Sequence, residues 1–328
     1  MTRTTVGLLS AGVLLFIAVM VSQGLPAIAA TLGSAGWSLL LVAAFHLLPL
    51  LLDALGICVL FDAGYGSDAI RDSLLTRWVG ESASSLMPGG QIGGPVFMAR
   101  HLAHRGMPLP DAAAAITVSI TLQTFAQIVF ALVGVTLLGA YASHSQHAMR
   151  TAALIASGFL AVQVGGFYFI QRRGFFGKVM RTITRFSGKR DWARFMNHAD
   201  AVDRTVAGIY GRRWPVAASF TWNLAGWFAG TGEVYLIGLL IGVPLSWGES
   251  LLLESLGQAI RGAGFAIPGA LGIQEGGYLL LAPLAGLPPS AALALSLAKR
   301  SRELLLGLPG LMYLHLAERA GQPMPPVA

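Results

Sequence analysis

Pro88-Gly89-Gly90-Gln91-Ile92-Gly93-Gly94 interrupts an apolar stretch running from about 81 to 107, and Pro268-Gly269-Ala270-Leu271-Gly272 interrupts another from about 255 to 287. Each is followed by a second break and an Ala-rich helix: Gly106-Met107-Pro108 and then Asp111 onward, Gly286-Leu287-Pro288 and then Ala291 onward. Pro88 to Pro108 and Pro268 to Pro288 both span 20 residues, and the offset between copies is a constant 180. Aligning 86–115 with 266–295 gives six identities in 30 positions: Pro88, Gly89, Gly106, Pro108, Ala112 and Ala114. Chance agreement of Ala, Gly and Pro produces such matches too. Here they fall on the backbone-shaping positions, which favours a duplication. Pro and Gly do not continue a helix cleanly, so each break frees backbone N–H and C=O groups.

The surroundings of these breaks are apolar. Of 328 residues, 55% are hydrophobic and 11% charged, with 41 Gly and 16 Pro; mean hydropathy is +0.66. Soluble proteins carry about 25% charged residues, so this chain has too little charge to cover a globule. A disordered chain, a disulfide scaffold (Cys58 is the single cysteine) and a nucleic-acid-binding domain are excluded together. A polytopic membrane protein remains. Runs of roughly 20 apolar residues, enough for a bilayer core, occur at 6–25, 38–61, 112–140, 148–170, 214–241 and 290–316. Arg3, an apolar run and Ala27-Ile28-Ala29 have the order of a signal peptide and its cleavage site. The length of the run and the spans after it favour an uncleaved helix.

Free backbone groups cannot face lipid, so the two broken segments are predicted to be re-entrant. Three spans lie between them, an odd number, so the copies face opposite sides. Inverted repeats with Gly/Pro-interrupted apolar segments mark the central site of a transporter. The predicted fold is an all-α polytopic membrane protein with about six full spans plus two Gly/Pro-broken re-entrant helical hairpins in an inverted repeat. Pro88, Gly89, Gly90, Pro268, Gly269 and Gly272 are its structural hinges. The first membrane half is 1–170 with re-entrant segment 81–107. The second is 214–328 with re-entrant segment 255–287.

Between the halves, 171–213 carries 11 of the 22 basic residues and three acids, a net +8 against +7 for the whole chain. The positive-inside rule makes this segment cytoplasmic. Its interleaved Phe175, Phe176, Phe186, Trp192 and Phe195 suit a helix resting on anionic lipid headgroups. Topology then puts both termini and 62–80 inside, and 26–37, 141–147 and 242–254 outside, each broken segment adding no net crossing.

Ionisable residues at membrane depth are costly and therefore functional candidates. Glu81 precedes the first break and Arg100 follows it; Glu254 and Arg261 precede the second and Glu275 follows it. Asp53 and Glu233 lie within spans, and Lys299, Arg300, Arg302 and Glu303 interrupt the last one. Lys299 and Glu303 are i, i+4 neighbours and are expected to pair. Arg300 and Arg302 then need Glu275, Glu254 or an anionic ligand, and internal pairing and ligand binding both fit. Glu275 begins a helix, where a carboxylate caps free N–H groups as readily as it does chemistry. His101 with His104, and His144 with His147, lack a third ligand, so no metal is predicted. Gly226 and Gly230 form a GxxxG pair, which signals close helix packing. Ser82, Ser84 and Ser85 have no matched His, so no catalytic residue is assigned. No phosphate-binding loop or Rossmann fingerprint occurs, and no cofactor is expected.

Gly80-Glu81, Leu86-Met87-Pro88-Gly89-Gly90 and Arg100 resemble the first signature of a known family. Ile267-Pro268-Gly269-Ala270-Leu271-Gly272-Ile273-Gln274-Glu275-Gly276 resembles its second, with Arg300 or Arg302 in the following helix. The family is that of the lysylphosphatidylglycerol synthase transmembrane, or flippase-like, integral membrane proteins, and the resemblance covers about 5–317. Pro-Gly-Gly-Gln-Ile-Gly-Gly-Pro looks most like the branch associated with hopanoid biosynthesis. Gln91 and Gly93-Gly94 depart from the common first signature, which leaves the headgroup open. The resemblance implies a bacterial inner-membrane protein that moves a lipid between leaflets. It implies a cavity lined by Glu81, Arg100, Glu275 and Arg300 or Arg302, and Arg261 joins these as a candidate headgroup contact. Bifunctional members carry a soluble aminoacyl-transferase domain after the membrane part. The chain ends 12 residues after its last span, so synthase activity is not expected. The rival readings are a membrane-embedded enzyme modifying a lipid headgroup, and a noncatalytic partner of hopanoid-biosynthetic enzymes.

Overall fold

The computed structural model describes residues 36–62, 65–66, 68–87, 90–141, 158, 162, 165–166, 168–169, 192–264 and 267–320. Hinges Pro88 and Gly89, the run 6–25, most of 148–170 and the 171–191 part of the basic segment lie outside the described residues. The described elements are helices: α1 Leu39–Cys58, α2 Ala69–Leu86, α3 Gly90–His104, α4 Leu109–Tyr141, α5 Trp192–Gly211, α6 Arg213–Leu240, α7 Trp247–Ala263, α8 Ile273–Leu281 and α9 Pro289–Ala320. No strand occurs among them.

At 1.5 Å per residue, α4, α6 and α9 are about 50, 42 and 48 Å long, more than a bilayer core. Gly36–Cys58 and Leu109–Leu138 also meet the apolarity a spanning helix needs. Large apolar side chains cover the outer faces: Leu47, Leu48 and Leu51 on α1, Val129 and Leu132 on α4, Leu304, Leu308 and Met312 on α9. Such faces suit lipid rather than water.

Both broken segments form packed helix pairs, α2 against α3 and α7 against α8. The first break opens because the residue before a proline is pushed out of the helical region; Met87, before Pro88, is extended at φ −91°, ψ 139°. The second break is a tight turn with Gly269, Ala270 and Gly272 at φ 62°, 49° and 79°. Glycine occupies this left-handed region without steric cost. The turn Pro268–Ala270 packs against α2 and α3, so the two breaks meet.

Two helix boundaries differ from the sequence expectation. The stretch 62–80, read from sequence only as lying between spans on the inner side, holds the first three turns of α2, where its charges are matched. Asp72 receives the Arg105 guanidinium at 2.7 Å and the Tyr65 hydroxyl at 3.0 Å, and Arg77 reaches Asp53 at 2.7 Å. The stretch 242–254, read from sequence only as lying between spans on the outer side, becomes helical at Trp247. Ser246 and Glu249 form a capping box: the Ser246 N–H donates to Glu249 at 2.7 Å and the Glu249 N–H to Ser246 at 3.2 Å. Within the basic segment, α5 is amphipathic and buries Ala199, Val202, Val206 and Ile209, packing on α4. Arg212 donates to the Leu60 carbonyl at 2.5 Å and pairs with Asp62 at 2.8 Å. The end of α1 and the start of α6 therefore share one end of the bundle.

The core divides into two apolar clusters. One joins Ile57 of α1, Leu60 just beyond it, Leu102 of α3, buried residues within 112–122 of α4 and the buried face of α5. The other joins Val42 of α1, Val135 and Leu138 of α4 and the second half of the chain, including Ala291–Ala298 of α9. Each cluster occupies one end of α1 and α4, which leaves their middles between the two.

Close helix approach depends on small residues. A Cβ on Gly94 would lie 2.2 Å from Ser84 Oγ and 2.9 Å from the Gly80 carbonyl oxygen. Gly94→Leu is therefore expected to push α3 off α2 and to cost about 1–3 kcal/mol. A lowered thermal midpoint of the detergent-solubilised protein is the readout; an unchanged midpoint contradicts this packing.

Candidate functional site

Between the two clusters lies a cavity of about 400 Å³ lined by α1, α2, α3, α4, α6, α7 and α9. Helical spacing puts polar residues of each helix on one face. His46 and Asp53 of α1 are seven apart. Arg77 and Glu81 of α2, and Gln123 and Gln127 of α4, are four apart. Glu254, Gln258 and Arg261 follow one stripe of α7, and Lys299, Arg302 and Glu303 one stripe of α9. From α6 come Gly226, Gly230 and Glu233.

The charges are paired across helices. Asp53 receives Arg77 Nη2 at 2.7 Å and Gln123 Nε2 at 2.8 Å. Arg302 reaches Glu81 at 3.0 Å and Glu233 at 3.3 Å. His46 stands between the same two carboxylates, Nδ1 at 2.7 Å from Glu233 and Nε2 at 2.8 Å from Glu81. Lys299 pairs with Glu254 at 2.6 Å, and Gln258 and Tyr278 also donate to that carboxylate. Arg261 binds Glu303, and donates to Gln274 Oε1 at 2.7 Å. A buried charge left unpaired is prohibitive in apolar surroundings, so this matching is the condition for the helices to sit together.

The sequence-predicted residues separate into three groups. Glu81, Arg261 and Arg302 line the cavity. Glu275 and Arg300 lie behind it, joined at 3.0 Å. Glu275 accepts the Gly272 N–H at 2.7 Å, the capping role, and Arg300 donates to the carbonyls of Gly269 at 2.6 Å and Ala270 at 3.2 Å. Arg300 thus holds the second break rather than facing the cavity. Arg100 is elsewhere, half exposed and paired with Glu318 at 3.0 Å, because its face of α3 turns toward the end of α9. Hinges Pro268, Gly269 and Gly272 shape the turn under Arg300, and Gly90 begins α3. The expected Lys299–Glu303 pair is not formed: Lys299 turns to Glu254, and Glu303 to Arg261 and Arg300, the latter at 3.1 Å.

His46 and Arg77 went unassigned in the sequence reading, and Asp53, Glu233, Glu254, Lys299 and Glu303 were marked only as charges at depth. Polar residues seven or four apart in an apolar helix were the available signal. Gly226 and Gly230 do more than pack helices. A Cβ on Gly226 would lie 2.7 Å from an Asp53 carboxylate oxygen, and one on Gly230 3.3 Å from Glu254 Oε1, so their smallness gives the carboxylates room. No cluster of three or more His, Cys, Asp or Glu suited to a metal occurs among the described residues. His101 is instead bonded to Thr76 at 2.7 Å and Tyr313 at 3.1 Å.

Helices with apolar outer faces, two of them long and apolar enough to span a membrane, surround a cavity of paired charges, the pattern of a helical membrane protein. The family described as the lysylphosphatidylglycerol synthase TM region matches residues 5–310. The chain belongs to that family, and is a membrane protein of a kind involved in lipid handling. No curated protein and no solved structure matches it.

Removing one partner of a buried pair costs about 3–5 kcal/mol. Lys299→Met is expected to destabilise by that order, and Lys299→Met with Glu254→Leu to recover most of the loss. Thermal unfolding of the two single variants and the double variant measures the coupling; additive losses contradict the pairing.

Proposed function

We propose that this protein moves a lipid, an anionic phospholipid or a hopanoid, between the leaflets of the bacterial inner membrane. It does so as a transporter rather than as an enzyme. The observation that carries this reading is a charged cavity near the middle of α1, α4 and α9, helices long enough to span a bilayer. Ion pairs at this depth are weak sources of stability compared with apolar packing, so their presence points to use. A headgroup phosphate would exchange for a carboxylate on Arg302 or Arg261, both cavity-lining, while the acyl chains stay in lipid. Arginine suits this because its planar fork binds carboxylate and phosphate in the same geometry.

The remaining expectations join this proposal. The two broken segments act as oppositely facing re-entrant hairpins, about six full spans surround them, and their meeting point opens to each side in turn. Both termini are cytoplasmic, and segment 171–213 rests on anionic headgroups or docks hopanoid-biosynthetic enzymes. The family match supports lipid handling. The hopanoid link rests on the Pro88–Pro95 motif.

Reconstituted vesicles carrying fluorescent lipids of several headgroups test the reading. Arg302→Ala removes charge-assisted bonds of about 1.5–3 kcal/mol each and is expected to slow leaflet exchange at least about tenfold. Arg100→Ala, outside the cavity, is expected to leave the rate within about twofold, since surface pairs contribute little. Folded protein that exchanges none of the headgroups contradicts the proposal. In a deletion strain, unchanged lipid species in the wrong leaflet agree with transport, and loss of a species agrees with an enzyme.

A further inference from the structure

His46 has more partners than a neutral imidazole can serve. Neutral imidazole has one N–H and one lone pair, yet both ring nitrogens face carboxylates, Glu233 at 2.7 Å and Glu81 at 2.8 Å. The ring is only 12% exposed. Arg302 Nη1 is also 2.8 Å from Nε2 and 3.0 Å from the same Glu81 oxygen. Nε2, the Glu81 oxygen and Arg302 Nη1 therefore form a triangle in which the ring proton decides which pair is bonded. With one ring proton, Nδ1–H donates to Glu233 and Nε2 accepts from Arg302. With two, Nε2–H donates to Glu81, and Arg302 gives up its bond to the ring.

The surrounding charges make the second proton consequential. The cavity is lined by five carboxylates and four permanent cations, one negative charge in excess before His46 is counted. On α1, Asp53 is held by Arg77 of α2, which also lies 3.8 Å from Glu81. Beyond Glu233 of α6, Lys299 of α9 stands 3.8 Å away and is bound to Glu254 of α7. Glu303 lies 4.0 Å from Arg302 and is bound to Arg261. Asp53, Glu254 and Glu303 thus each have a close cation of their own, whereas Glu81 and Glu233 share Arg302, with Arg77 and Lys299 farther off at 3.8 Å. A doubly protonated His46 neutralises part of that demand and frees Arg302 for an incoming anion. Linkage is reciprocal, so an anion on Arg302 favours the proton on His46.

We propose that His46 is a proton-binding site coupled to lipid movement, a proton on Nε2 and the anionic headgroup on Arg302 crossing together. This rests on the transport reading above and supplies its energy source. One proton with one monoanionic headgroup moves no net charge, so a pH difference drives the pair and a membrane voltage does not.

Vesicles of phosphatidylcholine and phosphatidylglycerol, with a fluorescent phosphatidylglycerol probe and an imposed pH difference of one unit, test this. One proton per lipid sets a ceiling of about tenfold enrichment in the alkaline-side leaflet, read by chemical quenching of the outer leaflet. Wild type is expected to approach that ratio, and His46→Gln to stay near one while still exchanging probe. Retained enrichment in His46→Gln, or exchange by wild type with a ratio near one, overturns the proposal. Wild type that exchanges no probe at all refutes the transport reading instead. In that case, or if His46→Gln is misfolded or inactive, the nitrogen-15 histidine spectrum of wild type in nanodiscs decides. The His46 signal, assigned by its displacement in Glu81→Gln, must pass from two ring protons to one between about pH 5 and 9. A ring that keeps one state over that range overturns the proton site.

Discussion

Charge at membrane depth has to be neutralised by other charge, and this constraint organises the whole bundle. Four consecutive turns of α9 would be apolar but for Lys299, Arg300, Arg302 and Glu303. Each of the four reaches a different set of neighbours. Lys299 joins α9 to Glu254 of α7, Arg300 to the turn before α8, Arg302 to α2 and α6, and Glu303 back to Arg261 of α7. These four residues therefore fix the angular position of α9 against most of the described bundle. The two apolar clusters fill the space above and below this layer, and neither crosses it.

Much of the fold was legible because apolar length and backbone breakers are local properties. The runs 38–61, 112–140, 214–241 and 290–316 became α1, α4, α6 and α9 within a few residues. The break at Pro268 was legible because a proline and two nearby glycines, Gly269 and Gly272, interrupt an apolar run. The starts of α2 and α7 were not. Asp72 and Arg77 look like loop residues until Arg105 and Asp53 are brought beside them by tertiary packing.

The site was legible by type more than by membership. Glu81, Arg261 and Arg302 were found because ionisable groups in apolar runs stand out. Arg100 and Arg300 stand out for the same reason, and composition alone does not tell which way a side chain turns. Lys299 and Glu303 show the limit of the i, i+4 rule. It describes what an isolated helix offers, whereas Glu254 and Arg261 on α7 offer shorter, more buried partners. His46 was overlooked because a single histidine in a leucine-rich helix carries no pattern. Its role depends on Glu81, Glu233 and Arg302, which lie 35, 187 and 256 residues away.

The pairing also bears on how the cavity works. Arg77, Arg261, Lys299 and Arg302 each already hold a carboxylate, so on the proposed transport reading an anionic headgroup would enter only by exchange, which would keep binding reversible. The most direct test is an experimental structure in nanodiscs containing phosphatidylglycerol. The account predicts headgroup density inside the cavity, within hydrogen-bonding distance of Arg302. A cavity holding only water, with ordered lipid confined to the outer faces, would contradict it.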